Sequence, residues 1–216
     1  MYNFKSVTFR MSAPDISFLP PDEGCEIAFV GRSNAGKSSA LNALTEQKNL
    51  AKTSKTPGRT QMINLFEITP DKRIVDLPGY GYAKVPMELK KKWQRALNEY
   101  LESRKSLKGL VVVMDIRNPL TSLDRQIVDW AISCQLPTIL LLTKSDKLNQ
   151  SPRTKAVREV EFALQEFQDH ELYISVLPFS AVNLSIGLKK FRELLSEWFD
   201  RNSGEFPPAD ANEPEE

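Results

Sequence analysis

The sequence predicts an α/β domain built on a mixed, mostly parallel sheet with helices on both faces. Short β-rich apolar runs alternate with longer amphipathic stretches along most of the chain. Two of the runs, Met62 to Ile68 and Lys72 to Asp76, are separated only by Thr69-Pro70-Asp71, too few residues for a parallel crossover, so they form an antiparallel hairpin. The first core run, Glu26 to Val30, empties directly into a glycine-punctuated loop that opens a helix.

The remaining strand candidates are Leu110 to Asp115, Thr138 to Thr143 and Tyr173 to Phe179. Between the strands, Lys37 to Gln47, Pro86 to Leu107, Ser122 to Cys134, Pro152 to Phe167 and Ser185 to Arg201 read as helices. Leu188, Phe191, Leu195, Trp198 and Phe199 recur at helical spacing, as do Leu89, Trp93, Leu97, Tyr100 and Leu101. Such stripes are core. Ahead of them, Tyr2 to Phe9 offers one more strand, whereas Pro14, Pro20, Pro21 and Gly24 favour an irregular lead into the first core strand.

Composition sets the boundaries. With 216 residues and 41% hydrophobic content the chain buries one sizeable core. The segment Gly204 to Glu216 holds five acidic residues, no basic ones and the pair Pro207-Pro208, so 204–216 is expected to be a disordered acidic tail. Setting it aside leaves 29 basic against 23 acidic side chains, a net charge of +6. The expected division is a lead-in over 1–24, a core domain over 25–203 and the tail. Cys25 and Cys134, far apart and outside any CxxC pattern, suggest neither a disulfide framework nor zinc, and the apolar runs are too short to span a bilayer. A cytoplasmic protein with no membrane partner is expected.

Gly31-Arg32-Ser33-Asn34-Ala35-Gly36-Lys37-Ser38 carries the chemistry. Its glycines let several N–H groups face a phosphate chain, the helix N-terminus adds its dipole, Lys37 spans the terminal phosphates and the Ser38 hydroxyl ligates Mg2+, with Ser39 alongside. Asp76-Leu77-Pro78-Gly79 closes a strand, where Asp76 holds the metal through water and the Gly79 N–H senses a terminal phosphate. Thr143-Lys144-Ser145-Asp146 closes another. Asp146 accepts from the N1–H and exocyclic amine of guanine, donors that adenine lacks, so GTP and GDP are selected over adenine nucleotides, while Lys144 lays its stem along the base. Phe179-Ser180-Ala181, after the last strand, is placed to offer a backbone N–H to the guanine oxygen. The polar segment Lys52 to Thr60, containing Gly58 and Arg59, is the expected switch; Thr60 is the second magnesium hydroxyl, with Thr56 competing. Lys37, Thr60 and Gly79 are the residues expected at the reacting phosphate.

Gly-Arg-Ser-Asn-Ala-Gly-Lys-Ser, Thr-Ser-Lys-Thr-Pro-Gly-Arg-Thr-Gln and Asp-Leu-Pro-Gly-Tyr-Gly-Tyr-Ala together resemble the EngB (YihA/YsxC) GTPases, over about residues 3 to 201. The resemblance implies a P-loop GTPase domain of the translation-factor class. It further implies slow GTP hydrolysis in assembly of the large ribosomal subunit or its precursor, contact with rRNA rather than DNA, a monomer, and an indirect role in cell division and septation. Tyr80 stands where Ras-like enzymes carry a water-orienting glutamine. The resemblance therefore implies help from other groups, a partner or K+ near Asn34, although a loop asparagine also serves as a turn former.

Lys48, Lys52, Lys55 and Arg59, with Lys84, Lys90, Lys91, Lys92 and Arg95, form the candidate RNA-phosphate surface, against the alternative of a solvated lysine-rich helix. His170, the only histidine, has no nucleophile nearby in sequence, and the carboxylates Asp124, Asp129, Glu159 and Glu161 read as a solvated helix face. Two rivals remain: a GTP-gated binding module with negligible hydrolysis, and a P-loop kinase acting on a small molecule.

Overall fold

The computed structural model of the chain describes residues 2–51, 62–81, 87–165 and 174–201, without the side chains of residues 87, 89, 90 and 92–94. Strand β2 (Cys25–Gly31) sends Ile27 and Phe29 to one face of the sheet and Ala28 and Val30 to the other, and all four are fully buried. Strands β5 (Leu107–Asp115) and β6 (Thr138–Thr143) repeat this alternation with near-continuous apolar residues, the pattern of parallel strands covered on both sides.

Strands β3 (Ile63–Thr69) and β4 (Lys72–Asp76) form the expected antiparallel hairpin, with Asn64 opposite Asp76. The N-terminal strand exists as well, but β1 is Thr8–Ala13 and pairs antiparallel with β3. It begins later than the sequence suggested because Phe4 and Val7 are spent in the core. Phe4 lies in a short 3₁₀ turn, Phe4–Ser6, where the Asn3 side chain accepts from the Lys5 N–H. With β7 (Ile174–Pro178) the order is β1-β3-β4-β2-β5-β6-β7, and β3 alone runs against the rest.

Helices α1 (Lys37–Thr45) and α5 (Leu188–Asp200) pack on one face, where Phe191 meets Phe29 and Phe179 edge-on at centroid distances of 6.0 and 5.6 Å. All five residues of the predicted α5 stripe are buried. The helix starts at Leu188 rather than Ser185 because Gly187, at φ 83°, breaks the path, and a Cβ there would lie 2.1 Å from the Pro178 carbonyl oxygen. Helices α2 (Met87–Ser103), α3 (Ser122–Ser133) and α4 (Gln150–Leu164) cover the other face. Leu97, Tyr100 and Leu101 are buried there as the α2 stripe requires; the side chains of Leu89 and Trp93 lie outside the described residues.

A buried ionic cluster closes the sheet at the start of β2. Glu26, with no exposure, accepts from Arg73 Nε at 3.0 Å, from Arg104 at 2.8 and 3.0 Å, and from the Tyr100 hydroxyl at 2.7 Å. The guanidinium groups also donate to the Glu23, Pro20 and Pro21 carbonyls, which ties the proline-rich lead to the core. At the opposite edge the carboxyl ends of the parallel strands and the loops that follow them converge, the usual ligand position in such a sheet.

Candidate functional site

The loop after β2 is shaped by its own backbone. Ala35 N–H donates to the Arg32 carbonyl at 2.9 Å, Asn34 stands at φ 66°, and Gly36, at φ 99°, is the N-cap of α1. That left-handed step needs glycine, and a Cβ on Gly36 would press to 3.3 Å from the Thr143 hydroxyl. No side chain caps α1 at this end, so the amides of Lys37, Ser38 and Ser39 have no intrahelical acceptor. Such a turn, with the helix dipole behind it, has the geometry that suits an anion.

Lys37 and Asp76 meet across this turn. The Lys37 ammonium bonds Oδ1 of Asp76 in a pair that is mostly buried, and Asn64 Nδ2 lies 3.5 Å from the other carboxylate oxygen. Beyond Asp76, the Leu77 N–H bonds the Phe29 carbonyl at 3.0 Å, Leu77, Pro78 and Gly79 are buried, and Tyr80 forms a bridge with Arg32. Ser33 N–H donates to the Tyr80 carbonyl at 2.9 Å, so the loop and the Asp76 segment are one unit.

The third wall comes from β6 and β7. Asp146 Oδ1 accepts from the Ser180 hydroxyl at 2.7 Å, and that hydrogen bond holds the carboxyl below its ordinary range, ionised and ready to accept. Lys144, at φ 57°, places its ammonium 2.8 Å from the Asn34 carbonyl oxygen, so its stem crosses from β6 to the loop after β2. A cavity of about 680 Å³ opens here, bounded by Gly36, Asn42, Lys144, Asp146 and Ala181.

The remaining predicted residues brace the site, and Thr143 also lines the cavity. Thr143 lays its hydroxyl between the Ala35 and Met114 carbonyls, tying the loop to the sheet. Ser145 is buried, donating to Leu142 and accepting from the Phe179 N–H, and Phe179 is core. Ser180 spends its N–H on Ile186 and its oxygen on Val182 and Asn183, which leaves Ala181 as the candidate backbone donor to a base.

Thr56, Gly58, Arg59, Thr60 and His170 lie outside the described residues, as do Lys52, Lys55 and Lys84. Of the basic candidates, Lys48, Lys91 and Arg95 are described and exposed. Asp124 corrects the sequence reading. It is buried, not solvated: Oδ2 accepts from the Thr121 N–H at 2.9 Å in a capping box, and Oδ1 accepts from the Tyr80 hydroxyl at 2.7 Å. Sequence reasoning also passed over Asp115, at the end of β5, which sits on Lys144; only the Thr-x-x-Asp spacing gave any signal for Asp124.

Ser38 and Asp76 supply one hydroxyl and one carboxylate, a set of hard oxygen donors that fits Mg2+ completed by substrate phosphates. A cluster of three or more metal-binding His, Cys, Asp or Glu residues does not occur among the described residues.

Comparison with known proteins identifies the family. The family model described as "50S ribosome-binding GTPase" matches residues 26–144, more than half of the chain. The protein named "Probable GTP-binding protein EngB" from Glaesserella parasuis is 57% identical over 197 residues, covering 91% of this chain and 92% of that one. Its namesake from Shewanella baltica is 57% identical over 200 residues, covering 91% and 90%. Among solved structures, a probable GTP-binding protein EngB superposes with a TM-score of 0.62 at 22% identity over 81% of this chain and 98% of that one. Era in complex with MgGDPNP and a 16S ribosomal RNA segment gives 0.62 at 20% identity, over 86% and 60%. The chain is a P-loop GTPase and belongs to the EngB family of GTP-binding proteins.

Proposed function

We propose that this GTPase is a slow guanine-nucleotide switch acting in the cytoplasm on the large ribosomal subunit or its precursor, with an indirect effect on cell division and septation. The observation that carries the nucleotide reading is that Lys37, Asp76, Lys144 and Asp146 converge on one edge of the sheet, although they are scattered along 110 residues. The phosphates rest on the amides of the Gly31 to Ser39 loop and on Lys37, which leaves Asp76 for them. Asp146 reads the guanine edge, with Ala181 offering a backbone donor. Ser38, Thr60 and a water held by Asp76 would hold Mg2+, which when bound supplies charge neutralisation at the phosphate oxygens.

Hydrolysis on this reading is positioning and electrostatics. Lys37 and the loop amides stabilise the charge that develops on the transferred phosphoryl group, and the Gly79 N–H reports its presence. Tyr80 gives the reading its slow turnover: the hydroxyl is engaged with Asp124 and the side chain has no amide to orient water. Asn34 would hold K+ at the loop. The same engagement of Tyr80 favours the second reading, a GTP-gated binding module that barely hydrolyses.

The ribosomal reading is supported by the match to the family of 50S ribosome-binding GTPases, by the fold likeness to Era, and by Lys48, Lys91 and Arg95 exposed on the described surface. Such cations release counterions on binding RNA phosphates. The domain reading keeps 25–203 as the GTPase unit and 204–216 as an acidic tail, with 1–24 contributing the edge strand β1.

Phosphate release from GTP with Mg2+, in K+ or Na+ buffer and with or without large subunits, tests this. Multiple turnovers, faster in K+ and with subunits, are expected. Nucleotide binding without turnover in any condition overturns the hydrolytic switch in favour of the binding module.

A further inference from the structure

Asp115 ends β5 beside Thr143, the residue before Lys144, and the Ile116 N–H bonds the Thr143 carbonyl at 3.0 Å. Its carboxylate is four-fifths buried yet takes two cations. Oδ2 lies 2.9 Å from Lys144 Nζ, and Arg117 returns over the same carboxylate with Nε at 2.9 Å from Oδ1 and a terminal nitrogen at 2.6 Å from Oδ2. The Arg117 N–H also donates to Oδ1, at 3.1 Å. These bonds, Arg117's foremost, hold the Asp115 carboxyl well below the usual carboxylate range.

Lys144 has two anchors at its tip. The ammonium touches the Asn34 carbonyl at 2.8 Å and Asp115 at 2.9 Å, while the residue itself stands in the left-handed region at φ 57°. Fixing a four-carbon side chain costs rotamer entropy. One neutral carbonyl at the tip offsets little of that, whereas an ionised, partly buried carboxylate makes a charge-assisted bond roughly twice as strong as a neutral one.

We propose that Asp115 is a positioning residue for guanine-nucleotide binding: it sets Lys144 across the cavity in the conformation that supports the base, before nucleotide arrives. This rests on the nucleotide reading given above. Asp115 acts through Lys144 and does not touch the base, so it contributes affinity without reading the guanine edge. Arg117, half exposed, neutralises the carboxylate from the solvent side and is dispensable for the effect.

A double-mutant cycle tests this, with GDP and IDP as titrants. Hypoxanthine keeps guanine's N1–H but lacks its exocyclic amine, so the ratio of the two affinities reports the contact between Asp146 and that amine. K144M keeps an apolar stem and removes the ammonium. D115A is expected to weaken GDP and IDP equally, by roughly tenfold, the order for losing a charge-assisted contact. K144M weakens them similarly, the double variant is no weaker than K144M, and R117A stays within about twofold of wild type. D115N, which keeps the side-chain shape, replaces D115A where the latter fails to fold and is expected to show the same non-additivity. Additive losses, or a changed GDP-to-IDP ratio in the Asp115 variants, overturn the positioning role while leaving the nucleotide reading intact. Wild-type protein that binds neither nucleotide overturns the nucleotide reading itself.

Discussion

The Tyr80 hydroxyl donates a 2.7 Å hydrogen bond to Oδ1 of Asp124, joining the segment after Asp76 to the first turn of α3. The contact links two parts of the molecule 44 positions apart. Asp124 is buried, and its other oxygen serves the Thr121 cap, so the carboxylate has a partner on each side. Burial, together with the negative charge of Asp124 and their hydrogen bond, raises the Tyr80 phenol far above its ordinary value of 10.0.

Tyr80→Phe is therefore expected to lower stability by about 1–2 kcal/mol, because a buried acceptor loses its donor. The folded state favours the protonated phenol, so this contribution is full below pH 10 and falls only as pH rises above it. Urea unfolding of wild type and Tyr80→Phe between pH 7 and 9.5 should give a constant difference. A difference that shrinks across that range would contradict the contact.

The buried Glu26 cluster has the opposite pH signature. Burial alone would raise the Glu26 carboxyl, but hydrogen bonds from Arg104 and Tyr100 and the two guanidinium charges outweigh it and hold the group below its ordinary 4.5. The folded state favours the ionised form, so its contribution is present above about pH 4.5 and is lost as pH falls through the lowered value. Glu26→Gln should cost about 3–5 kcal/mol at pH 7, since it leaves two buried guanidinium groups short of charge. Denaturation at pH 7 and at pH 3.5 checks this: the gap between variant and wild type should narrow in acid.

On the proposed reading Asp146 carries the base specificity. Asp146→Asn presents an amide N–H where guanine presents its amine, and xanthine has a carbonyl at that place. Fluorescence competition should show guanine-nucleotide affinity falling on the order of 100-fold while xanthine-nucleotide affinity rises. Unchanged guanine preference would remove Asp146 from the base site.

Gly109 in β5 faces Trp198 of α5, and a Cβ there would sit 2.4 Å from the indole Cε3. Gly109→Ala should destabilise by about 1–3 kcal/mol through crowding, with nucleotide affinity in the surviving folded protein unchanged. Thermal unfolding and GDP titration separate the two effects.

What was legible in the sequence was what neighbouring residues decide. The loop Gly31 to Ser38, the segment Asp76 to Gly79 and the run Thr143 to Asp146 each place their chemistry within a few residues, and periodicity located the parallel strands and the helices. The three-residue gap at Thr69 to Asp71 sufficed to reverse β3. Pairings across the fold left no such mark. Asp124 looked like any acidic residue on an amphipathic helix until Tyr80 was brought to it, and Asp115 became a partner of Lys144 only through the β5–β6 register. Strand β1 starts at Thr8 rather than Tyr2 because Phe4 and Val7 enter the core instead of extending the strand.

On the proposed function the protein is a GTP-gated switch on the ribosome. Co-sedimentation of the full chain with isolated large subunits, loaded with GDP or with a non-hydrolysable GTP analogue at two salt concentrations, tests it most directly. Binding with the analogue only, weakened at the higher salt, is the result expected. Equal binding in both nucleotide states, or none in either, would contradict it.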